Sequence, residues 1–138
     1  MKVYKIVRNI DGELVSVGAT GMARIVYKPH EWISAPRQLA ERGYHITAFR
    51  SLRRAAINLH VLSSYTLPSV YGFELWEAEA EGITRKLPPM LNMLQLAKGQ
   101  FKEHLAPDLW AYGTIMCRRI KLIKKLGWKE VEKILKEV

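Results

Sequence analysis

Two short strand-like runs joined by Asp11-Gly12 constrain this chain more than any other feature. Val3-Tyr4-Lys5-Ile6-Val7-Arg8 is rich in β-branched and aromatic residues, and Glu13-Leu14-Val15-Ser16-Val17 alternates polar and apolar positions. An Asp-Gly pair between such runs specifies a tight hairpin, because the turn requires positive φ and glycine adopts it without steric cost. Gly18 and Gly21 then bracket a second turn, and Ala23-Arg24-Ile25-Val26-Tyr27 reads as a third strand. Connections this short leave no room for parallel crossovers, so the chain is expected to open with an antiparallel β-meander.

Further along, residues 28–44 contain Pro29, Pro36 and Gly43 and read as loop with one helical turn. Tyr44-His45-Ile46-Thr47-Ala48-Phe49 is a candidate strand. Residues 51–63 are expected to form a helix: Ser51 is placed to cap it, and Leu52, Ala55, Ala56, Leu59 and Leu62 recur at helical spacing. Residues 72–81 satisfy two templates. Their Glu, Leu, Trp and Ala content suits a helix, but Trp76, Ala78 and Ala80 alternate strictly with Glu77, Glu79 and Glu81, which favours a strand. Pro88 and Pro89 suit a helix start, and Met90, Leu94, Ala97 and Phe101 form a stripe behind them. Residues 114–123 predict a strand with Ile120 and Leu122 facing in and Arg119 and Lys121 facing out. Trp128, Val131, Leu135 and Val138 mark a C-terminal amphipathic helix. The expected fold is one α+β domain over residues 1–138. Its sheet is mainly antiparallel and begins with the meander, and about three helices pack on it.

The composition bounds what such a domain does. At 138 residues and 49% hydrophobic content the chain has material for one core. No apolar run approaches the roughly 18 residues a membrane span needs. Lys2 and Lys5 interrupt the apolar stretch that a secretory signal requires, and the lone Cys117 has no disulfide partner within the chain; both features suggest a reducing, cytoplasmic setting. Only three Asn and three Gln occur beside 22 Lys and Arg, a bias common in proteins of hot environments. The formal charge is +9. The excess sits in residues 1–60, with 10 basic against 4 acidic groups, and in residues 101–138, with 9 against 5. That balance favours anionic partners such as non-specific nucleic acid; the plainer reading is a solvated surface whose charge serves solubility.

Motifs with strong chemistry are missing. The sequence has no GxGxxG or GxxxxGK[ST] loop and no GxSxG elbow. Histidines at 30, 45, 60 and 104 and one cysteine give no ligand spacing, so neither a metal nor a cofactor is expected. The candidates are weaker constellations. Glu77, Glu79 and Glu81 would project from one strand face about 7 Å apart. They either bind a cation and do acid–base work, or pair with Arg119, Lys121 or other basic residues on a neighbouring strand, the commoner arrangement. Arg42, Tyr44, His45 and Arg50 flank the strand at 44–49 and offer an anion site with a histidine that titrates near neutrality; the plainer reading is an ordinary strand edge. Trp32, in a His30-Glu31-Trp32 loop, either stacks on a base or sugar or pins its loop to the core. Arg53 and Arg54, on the exposed side of their helix, and Arg119 and Lys121, on their strand, are candidate phosphate contacts. Cys117 reads as a buried structural thiol. The apolar face at Met90, Leu91, Met93, Leu94 and Leu96 is either central core or a partner surface, and it motivates a twofold homodimer.

Four segments carry a resemblance: the opening Val-Tyr-Lys-Ile-Val-Arg strand, Tyr27–Pro29–Glu31–Trp32, the Ala48-Phe49-Arg50-Ser51-Leu52 junction, and Glu74-Leu75-Trp76-Glu77-Ala78. In these the chain resembles small uncharacterised proteins of prokaryotes and their viruses, including those of thermophilic archaea. That resemblance implies a structural frame and no activity. The order of an early strand, His45, Ser51 and then Glu77 or Glu79 is also similar to ADP-ribosyltransferase-like domains, without a recognisable nicotinamide-binding signature around those residues. The leading expectation is a non-catalytic binding or assembly module with a basic surface. Its rival is an ADP-ribosyltransferase-like or other small enzyme with a site distributed over His45, Arg50, Glu77 and Glu79. A concave pocket gathering His45, Arg50 and a glutamate would favour the enzyme; a convex basic face would favour the binder.

Overall fold

The computed structural model describes residues 1–17, 24–65, 72–84, 86–104, 108 and 110–136, and only the backbone of residues 62–65 and 93–94. Seven strands and four helices lie in this part of the chain. The strands are β1 (Lys2–Ile10), β2 (Glu13–Ser16), β3 (Val26–Tyr27), β4 (Trp32–Ser34), β5 (Ile46–Phe49), β6 (Phe73–Thr84) and β7 (Thr114–Lys125). The helices are α1 (Arg37–Ala40), α2 (Leu52–Tyr65), α3 (Met93–Ala97) and α4 (Trp128–Lys136). The α+β class and the antiparallel sheet therefore stand as expected, and β1–β2–β3 form the opening meander. Asp11 and Gly12 both take positive φ, +52° and +91°, as the hairpin turn demands.

Two details go beyond the expected sheet with about three helices: the sheet closes into a barrel, and four helices lie among the described residues. β6 is the spine: it pairs with β1 over Lys2–Arg8 and with β7 over Trp76–Thr84. β5 joins β7 along its whole length and reaches β1 at a single pair, Tyr4↔Phe49. β1, β6, β7 and β5 thus form a ring, extended by β2 and β3 on one side and by β4 on the other. Every described pairing is antiparallel. Closure buries a core between the strands, where Val3, Val7, Ile46, Ala48, Ala78, Ala80, Ile120 and Leu122 meet. The small Ala48, Ala78 and Ala80 fit the limited interior of so narrow a barrel. A second apolar layer lies outside. Ala55, Ala56 and Leu59 of α2 and Val131 of α4 cover Ile6, Phe49 and Leu75.

Several local readings also change. β4 occupies a segment expected to be loop; its Ile33 lies opposite Ile120 of β7 and packs against the barrel core. The third strand is confined to Val26–Tyr27, and the Gly18–Gly21 turn falls outside the described residues. The helix expected from Pro88 to Phe101 shrinks to Met93–Ala97, because Leu91 instead forms a bridge to Glu103. Leu91 and Leu96 bury against Leu39 in a third cluster with Tyr44 and Phe101. Residues 72–81 are strand, within the longer β6. In the described residues no helix is long and apolar enough to cross a membrane.

Candidate functional site

The alternation of β1 points Val3, Lys5 and Val7 to the inside of the barrel. Two of these are core residues, and the third is a lysine only 7% exposed. Its position follows from the way the ring closes. β1 and β5 pair at Tyr4↔Phe49 and then part, and from Val7 onward the same edge of β1 belongs to β2. A seam opens between. There Lys5 Nζ donates to the Thr47 carbonyl at 2.7 Å and to Thr47 Oγ1 at 3.3 Å.

A cavity of about 380 Å³ follows this seam. Its floor is Lys5 and Ile46–Phe49, and one flank is Ser16 and Val17 at the end of β2. The opposite wall combines Leu39, Tyr44 and His45 with Met90, Leu91, Leu96 and Trp110. Two hydrogen bonds hold that wall to the segment before α3: Tyr44 Oη donates to Pro89 O at 2.7 Å and Trp110 Nε1 to Pro88 O at 2.8 Å. The volume lies within the roughly 300–1,000 Å³ typical of ligand pockets, and the lining is mostly apolar, as such pockets are.

The electrostatics of the seam are unusual. Among the described residues no Asp or Glu lines the cavity and no carboxylate pairs with Lys5. Burial without a counter-ion disfavours the ammonium and lowers Lys5 to about 8. Tyr27, 2% exposed, lies with its ring centre 5.7 Å from Lys5 Nζ. Its hydroxyl is buried without a hydrogen-bond partner among the described residues, and burial raises its pKa, so it stays protonated. Cys117 Sγ contacts Ile46 O at 3.5 Å, and burial pushes the thiol up to about 11. That is the inert structural cysteine expected of it.

Tyr27 also borders a second hollow, of about 610 Å³, at the hairpin end of the barrel. Of its acidic lining residues, Asp11, Glu13 and Glu74, the last accepts from Asn9 Nδ2 at 2.9 Å and Trp76 Nε1 at 3.0 Å and pairs with Lys125 at 3.5 Å.

The residues picked out from the sequence scatter over the fold. His45 does line the seam cavity, half-buried, whereas Arg50 is exposed just past β5. Ser51 caps α2 by accepting the Arg54 N–H at 3.3 Å. The glutamate row lies on the outer face of β6, where Glu77 pairs with Lys2 at 3.0 Å, Glu79 with the N-terminal amine at 3.3 Å and Glu81 with Arg119. Neither Ser51, Arg50 nor any of these glutamates lines the cavity, so the set suggested by ADP-ribosyltransferase-like domains does not assemble there. Arg42 lies over Phe101 at 3.7 Å and Arg54 over Tyr112 at 4.1 Å; Arg53 is exposed on α2. Trp32, Arg119 and Lys121 do come together: the indole of β4 stands 4.4 Å from the Arg119 guanidinium and 4.9 Å from Lys121 Nζ.

Sequence reasoning missed Lys5, Thr47 and Tyr27 as a group. One signal was present, a lysine at the inward parity between Val3 and Val7. Compared with protein-family models, curated proteins and solved structures, the chain matches none.

Proposed function

We propose that this protein is a non-catalytic binding module whose barrel seam takes a small, mainly apolar molecule, with an oxygen-bearing head group at Lys5. One observation carries the reading: among the described residues an amine is buried without a counter-ion on the floor of an apolar cavity. Burying a charge without a counter-ion costs stability, and such a group in a native fold calls for an explanation, here a ligand. Tyr27, whose ring lies near the amine and whose hydroxyl has no hydrogen-bond partner among the described residues, adds weight. The test is displacement of an apolar fluorescent dye by eight-carbon guests bearing a carboxylate, a carbonyl, a hydroxyl or only a methyl end. Oxygen-headed guests should displace the dye from wild type more strongly than octane, and Lys5→Met should erase that preference. Equal displacement by all four guests in both proteins would remove Lys5 from the reading, and no dye binding would remove the cavity.

A second reading concerns the outer surface. Trp32, 36% exposed, presents its ring beside Arg119 and Lys121, an arrangement able to stack one base and hold its phosphate. Weak, sequence-independent binding of single-stranded nucleic acid fits this patch. The patch is small and neighbours acids, since Glu81 engages Arg119 and Glu79 lies opposite Lys121 in the register. Affinity for a random single strand should fall steeply between about 50 and 200 mM salt and drop further in Trp32→Ala. Binding that withstands salt would contradict it. A twofold dimer has less behind it. Leu91 and Leu96, two of the apolar residues that suggested it, are buried within the chain.

A further inference from the structure

We propose that the guest of the seam cavity is a carbonyl compound, an aldehyde or ketone on an apolar chain, and that Lys5 holds it as an imine. The inference rests on the cavity reading above and names the chemistry of its head group. A neutral primary amine has two N–H bonds and one lone pair. Thr47 offers two acceptors to Lys5 Nζ, its carbonyl oxygen and Oγ1, so both N–H bonds are engaged and the lone pair is left over. Among the described residues no carboxylate lines the cavity, so an ammonium there would have the Thr47 oxygens but no counter-ion. The cysteine and tyrosine nucleophiles nearby are held protonated by burial. A carbonyl carbon is the electrophile such an amine takes, and an imine is uncharged, which suits apolar walls better than an ion pair.

The step balances without a further reagent. The Nζ lone pair forms the C–N bond while the C=O π electrons move to oxygen, which collects one Nζ proton and gives a carbinolamine. The nitrogen lone pair then forms C=N as the C–O bond breaks, and the hydroxyl leaves with the second Nζ proton as water. When Lys5 begins as the ammonium, its extra proton goes to solvent first. The ionisable groups facing the amine are Tyr27 from β3 and Cys117 from β7, with Tyr44 and His45 in the cavity wall just before β5.

The test incubates the full chain with octanal, reduces with borohydride and maps the fixed adducts by mass spectrometry. Among 12 lysines, Lys5 should be labelled roughly tenfold or more faster than any other at pH 7.5, because the exposed ones are almost wholly protonated there. Its labelling rate should level off above about pH 8, while that of exposed lysines keeps rising. Lys5→Met should lose the fast adduct; if that variant fails to fold, the wild-type peptide map still decides. Adducts spread evenly over the surface lysines would overturn the imine. Dye displacement by octanal without a Lys5 adduct would overturn the imine and leave the cavity reading intact. Failure of octanal and every other guest to displace the dye would sink the cavity reading itself.

Discussion

Replacing Lys5 by methionine should change how stability responds to pH, and the size of the change follows from burial. The folded state lowers Lys5 from 10.5 to about 8. Each unit corresponds to about 1.4 kcal/mol, so carrying this amine into the barrel costs about 3 kcal/mol wherever both the folded and the unfolded chain are protonated. The folded form binds the proton more weakly. Between pH 8 and 10.5 the unfolded chain therefore holds more protons, and stability rises with pH across that window. Below pH 8 the penalty is present in full. The Lys5→Met variant would carry none of it. The Thr47 carbonyl would lose its donor, at about 1–3 kcal/mol, but that loss shifts the whole curve and leaves its slope nearly unchanged. Urea denaturation of both proteins from pH 7 to pH 10 measures the difference directly. The advantage of Lys5→Met relative to wild type should shrink by ~2.5 kcal/mol over that range. Other titrating groups are common to both proteins and cancel. Parallel stability curves would refute the reasoning, since they would mean that Lys5 keeps its ordinary affinity for protons in the fold.

Three further outcomes follow from named contacts. Gly72 has φ +64° and a Cβ there would overlap the Asn9 carbonyl, so Gly72→Ala should destabilise by about 2 kcal/mol or more in thermal melts, where an open turn would tolerate it. The Glu81–Arg119 pair is about half exposed on both sides, and a double-mutant cycle with alanine should return a coupling under about 1 kcal/mol. Cys117, fully buried and with its thiol pushed up to about 11, should react with a thiol reagent at pH 8 only as fast as the protein opens; rapid native-state labelling would contradict its place in the barrel core.

Where local pattern and tertiary environment agree, the chain was readable. Asp11-Gly12 announced the hairpin, and strict alternation placed Ala78 and Ala80 inward and Glu77, Glu79 and Glu81 outward, with their basic partners on neighbouring strands or at the N-terminus. β4 escaped because three residues between Pro29 and Pro36 show no period; pairing with β7 makes them a strand. Barrel closure escaped because on the β1 side it rests on Tyr4↔Phe49, a contact across 45 residues that no local signal encodes. The stripe behind Pro88 satisfied helical spacing, yet Leu91 and Leu96 were claimed by Leu39, and Gly99, at φ +81°, lies just beyond the short helix that remains. The cavity was least legible. A lysine in a strand reads as a surface residue; its parity with Val3 and Val7 turns Lys5 inward, and the parting of β1 from β5 leaves the Thr47 oxygens open to it. Of the candidates drawn from charge and histidine content, Trp32, Arg119 and Lys121 meet and His45 lines the cavity, while Arg42, Arg50, Arg53, Arg54 and the glutamate row lie elsewhere, because residue type does not encode which faces meet.

Methyl NMR on the intact chain tests the cavity most directly. On titration with octanal or octanoate, the methyl signals of Ile46, Leu91, Leu96 and Met116, all lining the seam, should shift together and show contacts to the guest. Shifts confined to the outer face around Trp32, or none at a guest concentration that displaces the dye, would contradict binding in the barrel seam.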